Sequence, residues 1–423
     1  MSLSTITSAS QILVGVDWAD AEHAVHVLFP DGRVSATQVE QTPEALDAWI
    51  AQLGEPFPDG TIAIALEQKH GALVAGLLKF PHVRLYPINP AQLANYRKAV
   101  VNSGAKSDPS DAQLLAQFLQ HYQDQLRPLK PDDAQTRELA LLAQDRRTAV
   151  DQRTALTLEL KSTLKQYFPL VLLLVQSKLY AQFICRLLLK WPTLGELQKA
   201  KRHTVRNFFY ANNLRGDHIE QKLDQIDQAV ALTEDPALLS AGARRAKKLA
   251  QLLLVLNQTI GEYDEQMAKL LEAHADYEIF KSLPGAALQM QARLLTAFGT
   301  DRDRFDSAEQ IQALSGIAPV TRQSGKSRIV SHRWACPKFL KQTFHEYAGL
   351  SIKQSKWANA YYTLQRKNGK TAQMAKRALA YKWMRIIFRC WKNRVPSDEA
   401  KYIESLKRAK SPLLACMDNE TKP

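Results

Sequence analysis

The chain has 423 residues, 45% hydrophobic and 23% charged, the composition of a folded globular protein rather than a disordered, collagen-like or low-complexity one, and long enough for two or three domains. Its 56 Lys plus Arg against 42 Asp plus Glu give a net charge of +14, which favours a polyanionic partner. Cys185, Cys336, Cys390 and Cys416 form no CxxC pair, and there is no uncharged apolar run of about eighteen residues, so zinc, a disulfide framework and a membrane span are not indicated.

In chain order, the apolar run 11–16 (QILVGV) ends at Asp17 and reads as a strand. Residues 24–29, a Pro-Asp-Gly turn and 33–40 read as further antiparallel strands of a meander. Thr42 caps a helix with Ala45, Leu46, Trp49, Ile50 and Leu53 on one face, and 61–66 (TIAIAL) is a buried strand ending at Glu67. A short helix over 72–79, a strand over 83–88, a helix over 91–100, a polar link over 102–107 and a helix opened by Asp108 and Asp111 complete an α/β layer domain over 1–125.

The rest reads as all-α. Long amphipathic helices are predicted over 132–167, with the stripe Leu139, Leu142, Ala149, Leu156, Leu160 and Leu164, and over 239–274, with Leu249, Leu252, Leu256, Ile260, Met267 and Leu271. Neither can bury its stripe alone, so they are expected to pair with each other or with another protomer. The reading adopted is an antiparallel, coiled-coil-like arm over 126–278, with a helical insertion at about 169–238 at its tip. Residues 279–396 read as a third, mostly helical domain. It has a Pro284-Gly285 turn, a helix to 299, a helix from Asp306 or Ser307 to 314, a polar loop holding Ser324 and Gly325, and helices over 337–355, 357–368 and 372–393. Residues 397–423 read as a polar tail.

The positive charge is concentrated in that third domain. Between 321 and 396 eighteen Lys and Arg stand against the single acid Glu346. Trp334, Tyr347, Trp357, Tyr361, Tyr362, Trp383 and Trp391 interleave with them, a mixture suited to phosphate neutralisation with base or sugar contact; the alternative is solvated helix faces over an aromatic core.

Two-metal phosphodiester chemistry needs several carboxylates converging on cations that take hard oxygen ligands. Asp17 and Glu67 end neighbouring strands, and Asp108 and Asp111, three apart, share one face at a helix start, so the four together suit Mg²⁺ or Mn²⁺ although each alone is an ordinary cap. His70, His332 and His345 have no partner spacing and are left outside the site.

The segments GVDWADAEHAVHV, ALEQKHGAL, INPAQLANYRKAV and AKSDPSDAQLLAQFL resemble the DEDD domain of bacterial insertion-sequence transposases of family 110, which are related to the Piv invertases. The Lys-x-Asp-x-x-Asp-Ala spacing is the most specific element, and Asp17, Glu67, Asp108 and Asp111 match the tetrad. LPGAALQMQARLLTAFGTDRDRFDSAEQIQALSGIAPVTRQSGKSR resembles the same family's C-terminal domain. One glycine follows Ser324 where many members have two, and SHRWACPK over 331–338 replaces the usual Gly-Asn-Arg step.

The resemblance implies a RuvC/RNase H-like N-terminal domain, a C-terminal transposase domain and a serine nucleophile, Ser324. Without it, a Ser-Gly step is an ordinary turn. A serine attacks phosphate only when deprotonated or strongly polarised, which the metal site with Arg322, Lys326 and Arg328 could supply; Arg333 and Lys338 join them as nucleic-acid contacts. The implied partners are donor and target DNA, an element-encoded bridge RNA, and further copies of the chain in a dimer of dimers, with no membrane. The implied activity is cutting and rejoining DNA through a serine-linked intermediate. The rivals are a RuvC-like junction nuclease that uses water and a non-catalytic nucleic-acid-binding protein. The opening MSLSTITSAS lacks a signal peptide's features, so the expected location is the bacterial cytoplasm, at the nucleoid during action.

Overall fold

A computed structural model describes residues 11–100, 107–174, 178–214, 216, 218–325 and 327–418, which form two compact units, Met1–Pro131 and Asp132–Pro423. The first unit is built on β1 (Gln11–Asp17), β2 (Glu22–Leu28) and β3 (Val34–Glu40), then α1 (Pro43–Gly54), β4 (Thr61–Leu66), α2 (Ala72–Leu77), β5 (Val83–Pro87), α3 (Pro90–Val100) and α4 (Asp108–Tyr122). The sheet order is β3-β2-β1-β4-β5, with β1 antiparallel to β2 and parallel to β4.

Helices cover both faces of this sheet, which is why its central strands read as nearly continuous apolar runs. Ile12, Val14 and Val16 of β1 pack with Leu46, Trp49 and Ile50 of α1 and Leu73, Val74 and Leu77 of α2. On the other face Ala63 and Ala65 of β4 meet Leu114, Leu115, Phe118 and Leu119 of α4. α1 starts where the sequence indicates, with the Thr42 hydroxyl accepting from the Ala45 amide at 3.2 Å.

The second unit opens with α5 (Ala134–Tyr167), followed by α6 (Leu170–Leu174), α7 (Gln182–Lys190), α8 (Leu194–Lys199), α9 (Arg202–Ala211) and α10 (His218–Gln228), and then α11 (Pro236–Glu272). α5 and α11 lie antiparallel. The Gln135 amide donates to the Leu270 carbonyl, Arg146 grips Asp264 with two hydrogen bonds of 2.6 and 3.2 Å, and Arg153 reaches Asn257 at 3.1 Å. Helices α6 to α10 close a separate core against the far ends of the pair, with Phe168, Leu187, Leu188, Val205 and Leu223 against Leu164 and Leu249.

Beyond the arm come α12 (Tyr277–Lys281), α13 (Leu288–Phe298), α14 (Ala308–Leu314), a hairpin of β6 (Val320–Ser324) and β7 (Ser327–Ser331), α15 (Lys338–Ser351), α16 (Lys356–Lys367), α17 (Ala372–Asn393), α18 (Glu399–Arg408) and α19 (Leu413–Asp418). Three expectations are corrected here. The polar loop around Ser324 is a two-stranded hairpin. The segment after Pro396 folds into α18 and α19, burying Leu406 and Leu413, while Glu399 accepts from the Ser355 hydroxyl at 2.8 Å. Of the aromatics interleaved with the basic block, Tyr347, Trp357, Trp383 and Trp391 are buried core residues, so their spacing reflects packing.

Candidate active site

The carboxylates take their positions from the backbone. In the parallel pairing of β1 with β4, Val16 stands opposite Leu66, so Asp17 and Glu67 follow at the same end of adjacent strands, which run roughly 5 Å apart. α4 reaches that end because of Gly15. A β-carbon there would fall on the Ala112 carbonyl oxygen and the Ala116 amide nitrogen, so only glycine lets the helix lie directly on β1. Asp111 is the residue before Ala112, and Asp108 is the first of the helix, whose start is held by the Ser110 hydroxyl accepting from the Ser107 amide at 3.0 Å.

The side chains are less assembled than the backbone. Asp17 is half-buried, Glu67 and Asp108 are exposed and Asp111 is buried. Asp111 pairs with Arg97 of α3, whose side chain is 20% exposed and whose Nε is buried without a partner among the described residues. Among the described residues no three His, Cys, Asp or Glu stand close enough to hold a metal ion. The donor chemistry, carboxylate oxygens only, fits a hard divalent cation. A positive charge beside Asp111 in this structure is the Arg97 guanidinium, and that pairing is a contact sequence reasoning missed; its only signal was the presence of Arg97 in the INPAQLANYRKAV run.

In the second unit Ser324 is the last residue of β6, exposed at the tip of the hairpin, and Gly325 takes φ +56°, the left-handed conformation a two-residue turn requires. The register pairs Ser324 with Ser327, Arg322 with Ile329 and Gln323 with Arg328. Side chains alternate across a strand, so Arg322 shares a face with Ser324 and Arg328 lies on the opposite face. Both arginines and Lys338 are exposed, Arg333 is half-buried, and Lys326 lies outside the described residues. At the Pro284-Gly285 turn Gly285 takes φ +78° and lies against the Leu350 carbonyl, where a β-carbon would not fit.

Two transposase family models match the chain, which belongs to the IS110 transposases, DNA-transposing enzymes of insertion elements. Residues 14–169 match the family model of the IS110 DEDD type, described as transposase, and 277–363 match the model described as transposase of the IS116/IS110/IS902 family. The chain is 29% identical over 410 residues to the "Mini-circle putative transposase for IS117" of Streptomyces coelicolor, covering 94% of this chain and 98% of that one. It is 26% identical to an uncharacterized 42 kDa protein of insertion element IS900 from Mycobacterium paratuberculosis, covering 90% and 95%. It is 25% identical to an uncharacterized 43.6 kDa protein of insertion element IS110 from Streptomyces coelicolor, covering 89% and 93%.

Proposed function

We propose that this chain is the recombinase of its mobile element, cutting and rejoining donor and target DNA through a phosphoserine link at Ser324, on a RuvC-like carboxylate domain and a helical transposase domain. The observation that carries the reading is that one chain holds both a serine exposed at a hairpin tip, with Arg322 on its own face, and, in its other unit, a tetrad motif whose residues lie at the ends of β1, β4 and α4. In the reaction the Oγ–phosphorus bond forms, the serine proton passes to a base, the bond to one deoxyribose oxygen breaks and that oxygen takes up a proton. Rejoining is the reverse with a different strand end. Arg322, on the same hairpin face as Ser324, would draw the phosphate toward it and offset its growing charge. Asp17, Glu67, Asp108 and Asp111 would hold Mg²⁺ or Mn²⁺, which when bound supplies Lewis-acid polarisation of the phosphate.

Sequence choice is assigned to a bridge RNA, because base pairing reads sequence while a basic protein surface reads backbone and shape. Assembly as a dimer of dimers has support in the exposed Leu141, Leu158, Leu252 and Val255 of α5 and α11. No helix among the described residues is long and apolar enough to cross a membrane, and the proposed place of action is the bacterial nucleoid.

The test is incubation with Mg²⁺, RNA transcribed from the element's flanks and matching DNA, followed by denaturing electrophoresis. Wild type is expected to give a protein-DNA adduct, Ser324→Ala none, and Glu67→Gln at least about a hundredfold less. Equal cleavage by wild type and Ser324→Ala without any adduct would instead identify a nuclease that uses water.

A further inference from the structure

The chain leaves the Ser324 hairpin through His332, Arg333 and Trp334 before entering α15, and this short connection gathers positive charge without acid. Arg377 of α17 donates to Nδ1 of His332. Lys341 of α15 donates to the Arg333 carbonyl at 3.2 Å. The charge of Arg377, a little burial and the charge of Lys341 together hold the His332 imidazole below its ordinary range, in keeping with its accepting role toward Arg377.

The Nε atoms of Arg333 and Arg377 are buried and lack hydrogen-bond partners among the described residues. Three other arginines have an orphaned buried nitrogen, but Arg97 holds Asp111, Arg293 holds Glu346 and Arg302 holds Asp276. Arg333 and Arg377 hold no carboxylate among the described residues. Glu346, the single acid between 321 and 396, is taken by Arg293 at 2.6 Å and Arg147 at 3.4 Å. Two guanidinium groups with a desolvated Nε, one on this connection and one against it, where Lys341 also reaches the backbone and no acid answers them, are complementary to an anion.

Trp334 tells which anion. Its ring is 86% exposed, against 1% or less for Trp357, Trp383 and Trp391 of the same unit, and it stands edge-on to His332 with centroids 6.3 Å apart. A large exposed aromatic beside a phosphate-type site offers a platform for one base, and only an unpaired base can leave its own stack to use it.

We infer that Arg333, Lys341 and Arg377 clamp a backbone phosphate while Trp334 stacks the adjoining base, forming a subsite for an unpaired nucleotide of the DNA strand being processed. The commitment to DNA follows from the hairpin. Val320 pairs with Ser331 at its base and Ser324 with Ser327 at its tip, so the subsite begins four residue steps, roughly 14 Å, from Ser324. A nucleotide held there lies within a few positions of the phosphate presented to the serine. The inference rests on the proposed function, since it takes DNA to be the strand at that hairpin.

The experiment is fluorescence anisotropy with the full-length protein and three probes of one sequence, single-stranded DNA, duplex DNA and single-stranded RNA, across a salt series. Trp334→Ala is expected to weaken single-stranded DNA about tenfold and to leave duplex binding within about twofold, as for a lost stacking contact. Arg377→Gln is expected to reduce the salt slope on single-stranded DNA by about one. Circular dichroism melts of both variants matching wild type exclude a folding cause; should Arg377→Gln melt lower, Trp334→Ala, altered at an exposed side chain, decides alone. Equal loss on single strand and duplex, or no loss, overturns the subsite. Loss confined to RNA overturns its assignment to DNA. A wild-type protein that binds none of the probes overturns the proposed function itself.

Discussion

Gly15 shows how one residue sets a site it does not belong to. Alanine there would push α4 away from β1 or tilt it, because the obstructing atoms are backbone and cannot rotate aside. Gly15→Ala is expected to destabilise the first unit by about 3 kcal/mol, read as a lower midpoint in urea unfolding. Asp133 is a single residue that matters for stability instead. It caps α5, accepting from the Thr136 amide at 2.9 Å and the hydroxyls of Thr136 and Thr300 at 2.7 and 2.9 Å. Partial burial pushes its carboxyl up, but these bonds and the nearby His274 outweigh that and bring it down to about 2. A carboxyl lowered from 3.8 to about 2 contributes stability that is full above the unfolded value and lost as pH falls through the folded one. Because Asp133 is exposed, solvent screening reduces that contribution to about 1 kcal/mol. Asp133→Asn is accordingly expected to flatten the stability profile between about pH 4 and pH 2 in acid titrations followed by circular dichroism.

At the scale of elements, the arm is held by both its seam and its polar pairs. α5 and α11 bury Leu139, Leu160 and Leu164 with Leu249, Leu253 and Met267, and Arg146 fixes the register by gripping Asp264. Gly242 of α11 has the Tyr167 ring where its β-carbon would be, and that ring's hydroxyl donates to the Pro192 carbonyl at 2.9 Å, tying the arm to the inserted helices. The terminal helices are also structural: α18 and α19 place Leu406 and Leu413 in the core shared with Trp357 and Trp383. Truncation after Pro396 is expected to cost the second unit at least about 3 kcal/mol through the loss of two buried leucines, seen as a lower melting temperature.

On the scale of the whole molecule, the two units have separate cores, two on the faces of the five-stranded sheet and two among α5 to α19. A fragment of residues 1–131 is therefore expected to melt in a single cooperative transition by circular dichroism, and a gradual loss of signal would show that its core is not self-sufficient. The basic surplus belongs to the second unit's C-terminal part, where burial divides it: Arg333 and Arg377 are half-buried with an Nε out of solvent, while Arg322, Arg328 and Lys338 face solvent.

Legible in the chain alone were the order of strands and helices in the first unit, the placement of Asp17, Glu67, Asp108 and Asp111 at element ends, and the two long amphipathic helices, but not the β6-β7 hairpin or the terminal helices α18 and α19. Those features are local, written in periodicity and capping over a few residues. Tertiary structure alone decided that Asp111 faces Arg97, that Ser324 rises on a hairpin with Arg322 but not Arg328 on its face, and that four interleaved aromatics are core while Trp334 is free. His332 has no partner at any regular spacing, because Arg377 is forty-five residues away and meets it only when α17 packs beneath the hairpin's exit. A contact between distant residues leaves no periodic trace in a chain, since closing the loop between them is the work of the core rather than of the residues that touch.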